Sequence, residues 1–322
     1  MFDRLGNITA ELSSALLKSI VIPGHWLRQA VRRDGDRPRD RKGALRELRV
    51  PAVAPVGPLL VVGGSSIPDA AVVAALHHAG GRNVSVLVVP VGEGSELAAA
   101  EAVRCFSRFG VRRAEAVEPL NRERAEASQW SERFAGTEVL VLVGGDRRAV
   151  AGVLRDTLCH QALRQYSDAG RVLVAAGEAA PALAEQMLAA GAGEVCPGLG
   201  LLPRLILDAP FDPERAFASL VQAIGCRSGN AFLGTGIQAG TALIIKDGEA
   251  QVVGDGGVTI VDGREVAAPE DTLSDPEILP GDASAQCGLK VHLLVEGYGL
   301  NLKTRRPLGP GRDPAHTEAA GS

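Results

Sequence analysis

The sequence predicts an α/β protein with a doubly wound, mostly parallel sheet and flanking helices. Short apolar runs alternate with longer helical stretches, and Gly-containing turns separate them. Alternation of this kind is typical of a parallel sheet covered on both faces. A third observation is that the last third of the chain changes to short strands joined by Gly-rich turns, which predicts a C-terminal antiparallel extension. In such a fold a ligand crevice is expected beyond the carboxyl ends of the parallel strands.

Five apolar runs are the predicted parallel strands. Each is short and mostly apolar, as strands buried on both faces of a sheet are. They are Leu59–Val62, Val84–Val89, Ala114–Val117, Val139–Val143 and Val172–Ala175. The helices predicted to accompany them are Pro68–His78, Ser95–Phe109, Arg122–Phe134, Arg147–Tyr166 and Ala180–Ala190.

The chain after Gly191 predicts an antiparallel extension of the same domain. Its apolar segments are separated by Asp-Gly or Gly-rich turns, which are hairpin signals. The predicted strands are Thr241–Lys246, Gln251–Gly254, Val258–Val261 and Lys290–Val295. We infer no second core from them.

The two ends of the chain differ in character from the rest. Residues 1–50 are predicted to form an N-terminal extension, because residues 28–49 are dense in arginine and aspartate. A solvated arm is the favoured interpretation, and a docking arm for a partner is the alternative. The predicted domain spans residues 51–309, and the polar residues 310–322 are expected to form a disordered tail.

Composition limits the classes of function. A net charge of −4 over 322 residues does not indicate a nucleic-acid partner. No apolar stretch is long enough to cross a bilayer, so no membrane partner is expected. The five cysteines are Cys105, Cys159, Cys196, Cys226 and Cys287. Since none forms a CxxC pair, they predict reduced thiols in a cytoplasmic protein without a metal site, and no cofactor is expected.

Two predicted strands run directly into paired glycines. Glycine permits tight turns and close backbone approach, and exposed amides there can hold an anion or a carbonyl oxygen. Tight strand-to-helix turns need glycine in any case, and neither segment matches a dinucleotide or phosphate-loop motif. The candidate cleft residues at these two ends are Gly63, Gly64, Ser65, Gly144, Gly145, Asp146 and Arg147.

A third strand end has the shape of a nucleophile elbow. Residues Val172–Ala180 run from a buried strand through small residues into a predicted helix. The elbow has no serine, cysteine or threonine, and Gly177 cannot attack a carbonyl carbon. Glu178 is the one reactive group there. We favour its interpretation as an early-helix acid stabilised by the helix dipole, with a chemical role as the alternative.

Six motifs occur in an order and at a spacing that resemble one family. They are Gly57–Gly64, Gly144–Asp146, Pro197–Pro203, Leu233–Ile237, Thr241–Leu243 and Asn301–Leu308. Together they resemble the cyanophycinases, serine peptidases that cut the aspartate–arginine polymer cyanophycin at β-linked residues. The resemblance covers about Gly57 to Leu308. It implies a class I glutamine-amidotransferase-like version of the doubly wound fold, usually present as a homodimer.

The resemblance also predicts that the catalytic positions are substituted. Where the family has Gly-Thr-Ser-Ala-Gly-Ala, this chain has Ala175–Ala180, which puts Gly177 in the nucleophile's place. The histidine's place in Asp-Gln-His-Phe is taken by Pro210, and the acid's place in Gly-Ile-Asp-Glu is taken by Ala239. A serine needs a base to accept its proton, and the base needs an acid to hold its tautomer. These substitutions therefore predict no covalent route.

The predicted function is that of a catalytically inactive homologue with a binding, regulatory or assembly role in cyanophycin metabolism. Its expected partners are a second copy of the chain, an active peptidase or another enzyme of that metabolism, and a peptide containing aspartate and arginine. Arg147, where the family contacts its substrate, would either bind a carboxylate or form a surface ion pair. Gln238 completes the cleft candidates. The alternatives are a hydrolase rebuilt around Glu178 and Asp146, and a structural subunit with no ligand.

Overall fold

The computed structural model describes residues 57–189, 193–225, 232–266 and 288–310. The predicted extension over residues 1–50 lies outside these ranges, as does the predicted tail after residue 310. Within the described part of the chain, no helix has the length and apolar character needed to span a membrane.

Strands account for the central layers of the fold. In chain order they are β1 Leu59–Val62, β2 Ser85–Val91, β3 Arg113–Ala116, β4 Val139–Gly144, β5 Val172–Gly177, β6 Ala184–Leu188, β7 Val195–Pro197, β8 Leu202–Asp208, β9 Leu233–Ile237, β10 Thr241–Lys246, β11 Glu249–Gly254, β12 Val258–Asp262, β13 Lys290–Leu294, β14 Gly299–Asn301 and β15 Pro307–Leu308. The helices are α1 Asp69–His78, α2 Glu96–Arg108, α3 Arg122–Ala125, α4 Trp130–Ala135, α5 Arg147–Leu154, α6 Leu158–Asp168 and α7 Pro213–Gly225.

Over the described residues, the main sheet has nine strands in the order β15-β14-β11-β10-β1-β5-β4-β2-β3. Strands β1, β5, β4, β2 and β3 are mutually parallel. On the other side of β1, strands β10, β11, β14 and β15 are added antiparallel. The predicted doubly wound sheet with an antiparallel extension is therefore confirmed, and the five parallel strands lie within two residues of their predicted bounds.

Both faces of the parallel strands are buried, as their apolar sequences predicted. Leu59 and Val61 pack into one cluster with α4, α5 and α6, whereas Leu60 and Val62 pack into another with α1 and α2. Successive side chains of a strand point to opposite faces, so β1 contributes to both clusters. Two predicted helices are each divided in two. The second division lies at Asp156, which has a positive φ of 60°.

A second sheet, with six strands among the residues that the structure describes, was not predicted. Its order is β13-β12-β9-β8-β6-β7, and β6, β8 and β9 are parallel. Strands β12 and β13, predicted as part of one extension, belong to this sheet. Its inner face shares the larger apolar cluster with the main sheet, through Met187, Leu207 and Ile260 among others. Helix α7 covers the outer face through Leu220 and Ile224.

The predicted helix Ala180–Ala190 is wrong. A single 3₁₀ turn at Pro181–Leu183 leads into strand β6. Alanine-rich sequence favours a helix in isolation. Here Ala182, Leu183 and Ala184 are fully buried and β6 pairs in parallel with β8, so tertiary pairing overrides the local preference.

The C-terminal strands are held to the second sheet by an ionic cluster. Arg305 and Asp262, with only 6% and 3% of their side chains exposed, form a buried ion pair, and Arg264 Nε donates to Asp262 Oδ2 at 2.9 Å. Burial alone would raise the pKa of Asp262. Hydrogen bonds from Arg264 and the charge of Arg305 outweigh burial, so the pKa lies below its usual value.

Candidate functional site

Three glycine-containing strand ends meet at one edge of the main sheet. In the ladder, Val62 is opposite Ala176 and Gly144 is opposite Gly177. The segments that follow β1, β5 and β4 therefore leave the sheet side by side. This is the edge at which the sequence predicted a crevice.

Gly177 lies at the turn that ends β5, in a left-handed conformation. Its φ is +62°, and its N–H donates to the carbonyl of Gly64 at 2.7 Å. A β-carbon placed on Gly177 would lie 3.5 Å from Ser65 Cα and 3.8 Å from the Gly144 oxygen, which is ordinary contact. The turn thus has the sharp geometry of a nucleophile elbow and room for a β-carbon, but Gly177 supplies no attacking atom.

The other two positions of the predicted triad are close to the same edge. A β-carbon on Gly64 would lie 3.7 Å from Ala239 Cβ, so Ala239 is next to the end of β1. The N–H of Phe211 donates to the Ile237 carbonyl at 2.8 Å, which fixes the chain after Pro210 to the end of β9. Neither Pro210 nor Ala239 has a side chain that can accept or donate a proton.

Arg147 is the centre of an ionic cluster. Its Nε donates to Glu178 Oε2 at 2.7 Å, and its Nη1 donates to Asp208 Oδ1 at 2.5 Å. The same guanidinium donates to the carbonyls of Leu188 at 3.0 Å and Ala209 at 3.4 Å. The exposed side-chain fractions are 19% for Arg147, 33% for Glu178 and 7% for Asp208. The sequence left two roles open for Arg147, and the structure has it in an ion pair.

The guanidinium of Arg147 thus forms ion pairs with two carboxylates, those of Glu178 and Asp208. Burial raises the pKa of Asp208, and the nearby charge of Glu178 adds to the rise, although Arg147 opposes it. Burial alone would lower the pKa of Arg147, but its hydrogen bonds to Glu178 and Asp208 more than offset this, and its pKa is raised. The guanidinium is held firmly as a cation, and burial favours the neutral form of Asp208.

A pocket of about 470 Å³ opens beside this cluster. Among the predicted site residues, those that line it are Gly145, Asp146, Arg147, Glu178 and Pro210. Asp146 has a structural task, since its Oδ1 accepts from the N–H of Ala149 at 2.8 Å and caps α5.

The remaining cleft candidates are not among the residues that line the pocket. Gln238 is tied into a turn, because its Oε1 accepts from the N–H of Gly257 at 2.8 Å and its own N–H donates to the Gly257 carbonyl at 3.0 Å. Gly63 packs so tightly that a β-carbon on it would lie 2.0 Å from the Gln238 carbonyl oxygen. Gly64 is buried beside Ala239, and Ser65 is exposed.

Sequence reasoning missed Asp208, the most buried carboxylate of the pocket. It ends β8, a strand that was not predicted, and it lies two residues before Pro210, the position that the family resemblance assigns to the histidine. An acid at the end of the apolar run Leu205–Leu207 was the signal that could have identified it. Arg148, Asp212 and Arg215 were also missed as pocket residues.

Comparisons with known proteins find sequence relatives and a similar fold. The chain is 29% identical over 217 residues to a cyanophycinase from a Nostoc species, covering 64% of this chain and 71% of that protein. It is 27% identical over 244 residues to a cyanophycinase from Geminocystis herdmanii, covering 72% and 88%. The crystal structure of a peptidase from an acI-B1 Actinobacterium superposes with a TM-score of 0.57 at 19% identity, covering 77% and 98%. No protein-family model matches.

Proposed function

We propose that this chain, a homologue of the cyanophycinases, binds a peptide containing aspartate and arginine without hydrolysing it. The homology supports a related peptidase or hydrolase scaffold. The observation that carries the proposal is at Gly177, where the elbow has the conformation and the room for a nucleophile but no hydroxyl or thiol. Without an attacking atom there is no acyl-enzyme, whatever else the pocket binds.

The two positions that the family resemblance assigns to proton transfer also lack an ionisable side chain. Pro210 and Ala239 take the places that the family resemblance assigns to the base and its orienting acid. The most buried histidine of the described residues, His160, is engaged elsewhere, since its Nε2 is 2.8 Å from the Leu199 carbonyl and its Nδ1 accepts from the N–H of Asp156. Burial lowers the pKa of His160.

The charges of the pocket suit a ligand that carries both signs. Glu178 and Asp208 are anionic acceptors, and Arg148 and Arg215 are exposed cations on the same lining. A β-linked Asp-Arg peptide has carboxylates and a guanidinium, so each part of it has an opposite charge to contact. This complementarity supports retained binding in cyanophycin metabolism.

A second candidate is hydrolysis by a rebuilt site. The sequence-based version used Glu178 and Asp146, but Asp146 is engaged as a helix cap and Glu178 is paired with Arg147. The observation that favours hydrolysis is at Asp208, a buried carboxyl facing the pocket with a raised pKa. A carboxyl of this kind can act as a general base or acid toward water.

Hydrolysis of cyanophycin and of β-Asp-Arg dipeptide by the purified full-length chain separates the two candidates. We expect no release of arginine above the buffer rate, with the Nostoc cyanophycinase as the active control. Calorimetry with the same dipeptide should show binding that D208N weakens and that E101Q, a change at an exposed carboxylate of α2 outside the pocket lining, leaves intact. Turnover that D208N or E178Q abolishes would contradict the proposal.

Assembly is the second part of the proposal. A homodimer, or a complex with an active peptidase, would let a non-hydrolytic chain deliver or retain substrate. Light scattering of the purified chain measures the first, and co-purification with a cyanophycinase measures the second. A monomer that captures no such enzyme would restrict the role to peptide binding.

A further inference from the structure

Arg147 occupies a position that the helix itself disfavours. It is the first residue of α5 and directly follows the capping residue Asp146. The first turn of α5 contains no acidic residue. The positive end of a helix dipole destabilises a cation there. The stability of α5 therefore does not explain the placement of Arg147, and its contacts across the pocket do.

Four oxygen atoms surround the Arg147 guanidinium, and they come from three separate segments. The turn after β5 provides Glu178 Oε2, the end of β6 provides the Leu188 carbonyl, and the end of β8 provides Asp208 Oδ1 and the Ala209 carbonyl. We call these four oxygens the guanidinium receptor. A planar fork with five N–H donors fits such a set, whereas a compact ammonium does not.

The guanidinium receptor needs a cation. Asp208 has 7% of its side chain exposed, and a buried carboxylate without a partner is strongly unfavourable. The two backbone carbonyls add partial negative charge. The pocket of about 470 Å³ extends from the receptor along Asp212 and Ser219, so a second side chain has a path to it.

We propose that the guanidinium receptor is a binding site for the arginine side chain of a ligand, and that Arg147 closes it from within as an internal competitor. This inference deepens the proposed function, and it rests on that function only for the ligand being a peptide. Arg147 must swing out before an external guanidinium can enter. The apparent affinity for the external guanidinium is then its intrinsic affinity multiplied by the fraction of molecules in which the receptor is open.

The direct experiment removes the competitor. In R147A the receptor is vacant, and methylguanidinium is the probe, with methylammonium as the control for charge without the planar fork. We expect calorimetry to show that methylguanidinium binds R147A about tenfold or more tightly than it binds the wild type. A gain of this size is expected because Arg147 fills the receptor in most wild-type molecules and leaves only a small fraction open. The matched control R104A removes an exposed arginine of α2 that is not among the residues lining the pocket, and it should bind like the wild type.

Two further variants keep the test decisive. R147A/D208N removes one wall of the receptor and should lose the gain in affinity. If R147A does not fold alone, refolding it with methylguanidinium should restore a native near-ultraviolet circular dichroism spectrum, and R147M, which keeps an apolar stem, should respond likewise.

The inference is overturned if neither R147A nor R147M binds methylguanidinium more tightly than the wild type. It is also overturned if methylammonium binds R147A as tightly as methylguanidinium does, or if R147A stays unfolded with methylguanidinium present. Turnover of dipeptide by the wild type would remove the non-hydrolytic proposal without changing these binding results. The two proposals therefore fail separately.

Discussion

Two glycines at the same sheet edge predict losses of stability of different size on addition of one methyl group. Gly177 has a positive φ of 62° but room for a β-carbon, since the nearest atom would be in ordinary contact at 3.5 Å. Gly63 has no positive φ but no space, because its β-carbon would lie 2.0 Å from the Gln238 carbonyl oxygen and 2.6 Å from that of Ile237. Alanine at each position separates the cost of conformation from the cost of collision.

The magnitudes follow from these two geometries. A β-carbon in the left-handed region costs about 1–2 kcal/mol, and the lost freedom of the unfolded chain returns about 0.4–1 kcal/mol. G177A should therefore lower the free energy of unfolding by about 1 kcal/mol. Overpacking costs roughly 1–3 kcal/mol where side chains can adjust. G63A meets two backbone carbonyls and should cost about 3 kcal/mol or more.

Equilibrium unfolding in urea measures both variants against the wild type. We expect G177A to fold with a small shift of its midpoint and an unchanged slope, and G63A to lose at least about 2 kcal/mol more. G177S should behave like G177A, which would show that the elbow still accepts a nucleophile's side chain. If G177A destabilises the protein as much as G63A, a β-carbon at Gly177 does not fit without collision, and the predicted difference between the two glycines is wrong.

Three shorter predictions concern groups away from the elbow. D262N should cost about 3 kcal/mol at pH 7 because it removes the buried anion to which both Arg264 and Arg305 are paired. Since the folded pKa of Asp262 is lowered from 3.8, its stabilisation is complete above that pH and is lost as pH falls through the folded value, so urea midpoints of D262N and wild type should converge in acid. Burial raises the pKa of Cys159 to about 12, so mass spectrometry should find it unlabelled by N-ethylmaleimide at pH 7.5, and rapid labelling of the folded protein would contradict this. D146A should lose about 1 kcal/mol by uncapping α5 in thermal unfolding, and an unchanged midpoint would contradict the capping role.

The parallel strands were predictable because their apolar runs are buried on both faces and their ends are marked by glycine. The region between Gly191 and Ile237 was not. There, β8 reads as a run interrupted by Pro203 and Arg204, and Arg204 has a positive φ of 57°. The segment Ala182–Leu188 is not α-helical because most of it is buried between the two sheets. Such burial arises only when the sheets assemble, so the local periodicity of the sequence does not reveal it.

The site shows the same division. Gly177 and Arg147 were identified because they follow predicted strands. Their chemistry was open until the second sheet supplied Asp208, a residue that is 61 positions from Arg147 along the chain. No spacing rule connects such distant residues, so the ion pair became visible only with the three-dimensional fold.

The Arg147–Asp208 bond joins parts of two different sheets. The cation stands on the helix that follows β4 of the nine-stranded sheet, and the anion ends a strand of the six-stranded one. This ion pair therefore links the two sheets. A ligand that displaces Arg147 from Asp208 would break the link, and we expect its binding to loosen the packing of one sheet against the other, including at apolar contacts that the ligand does not touch.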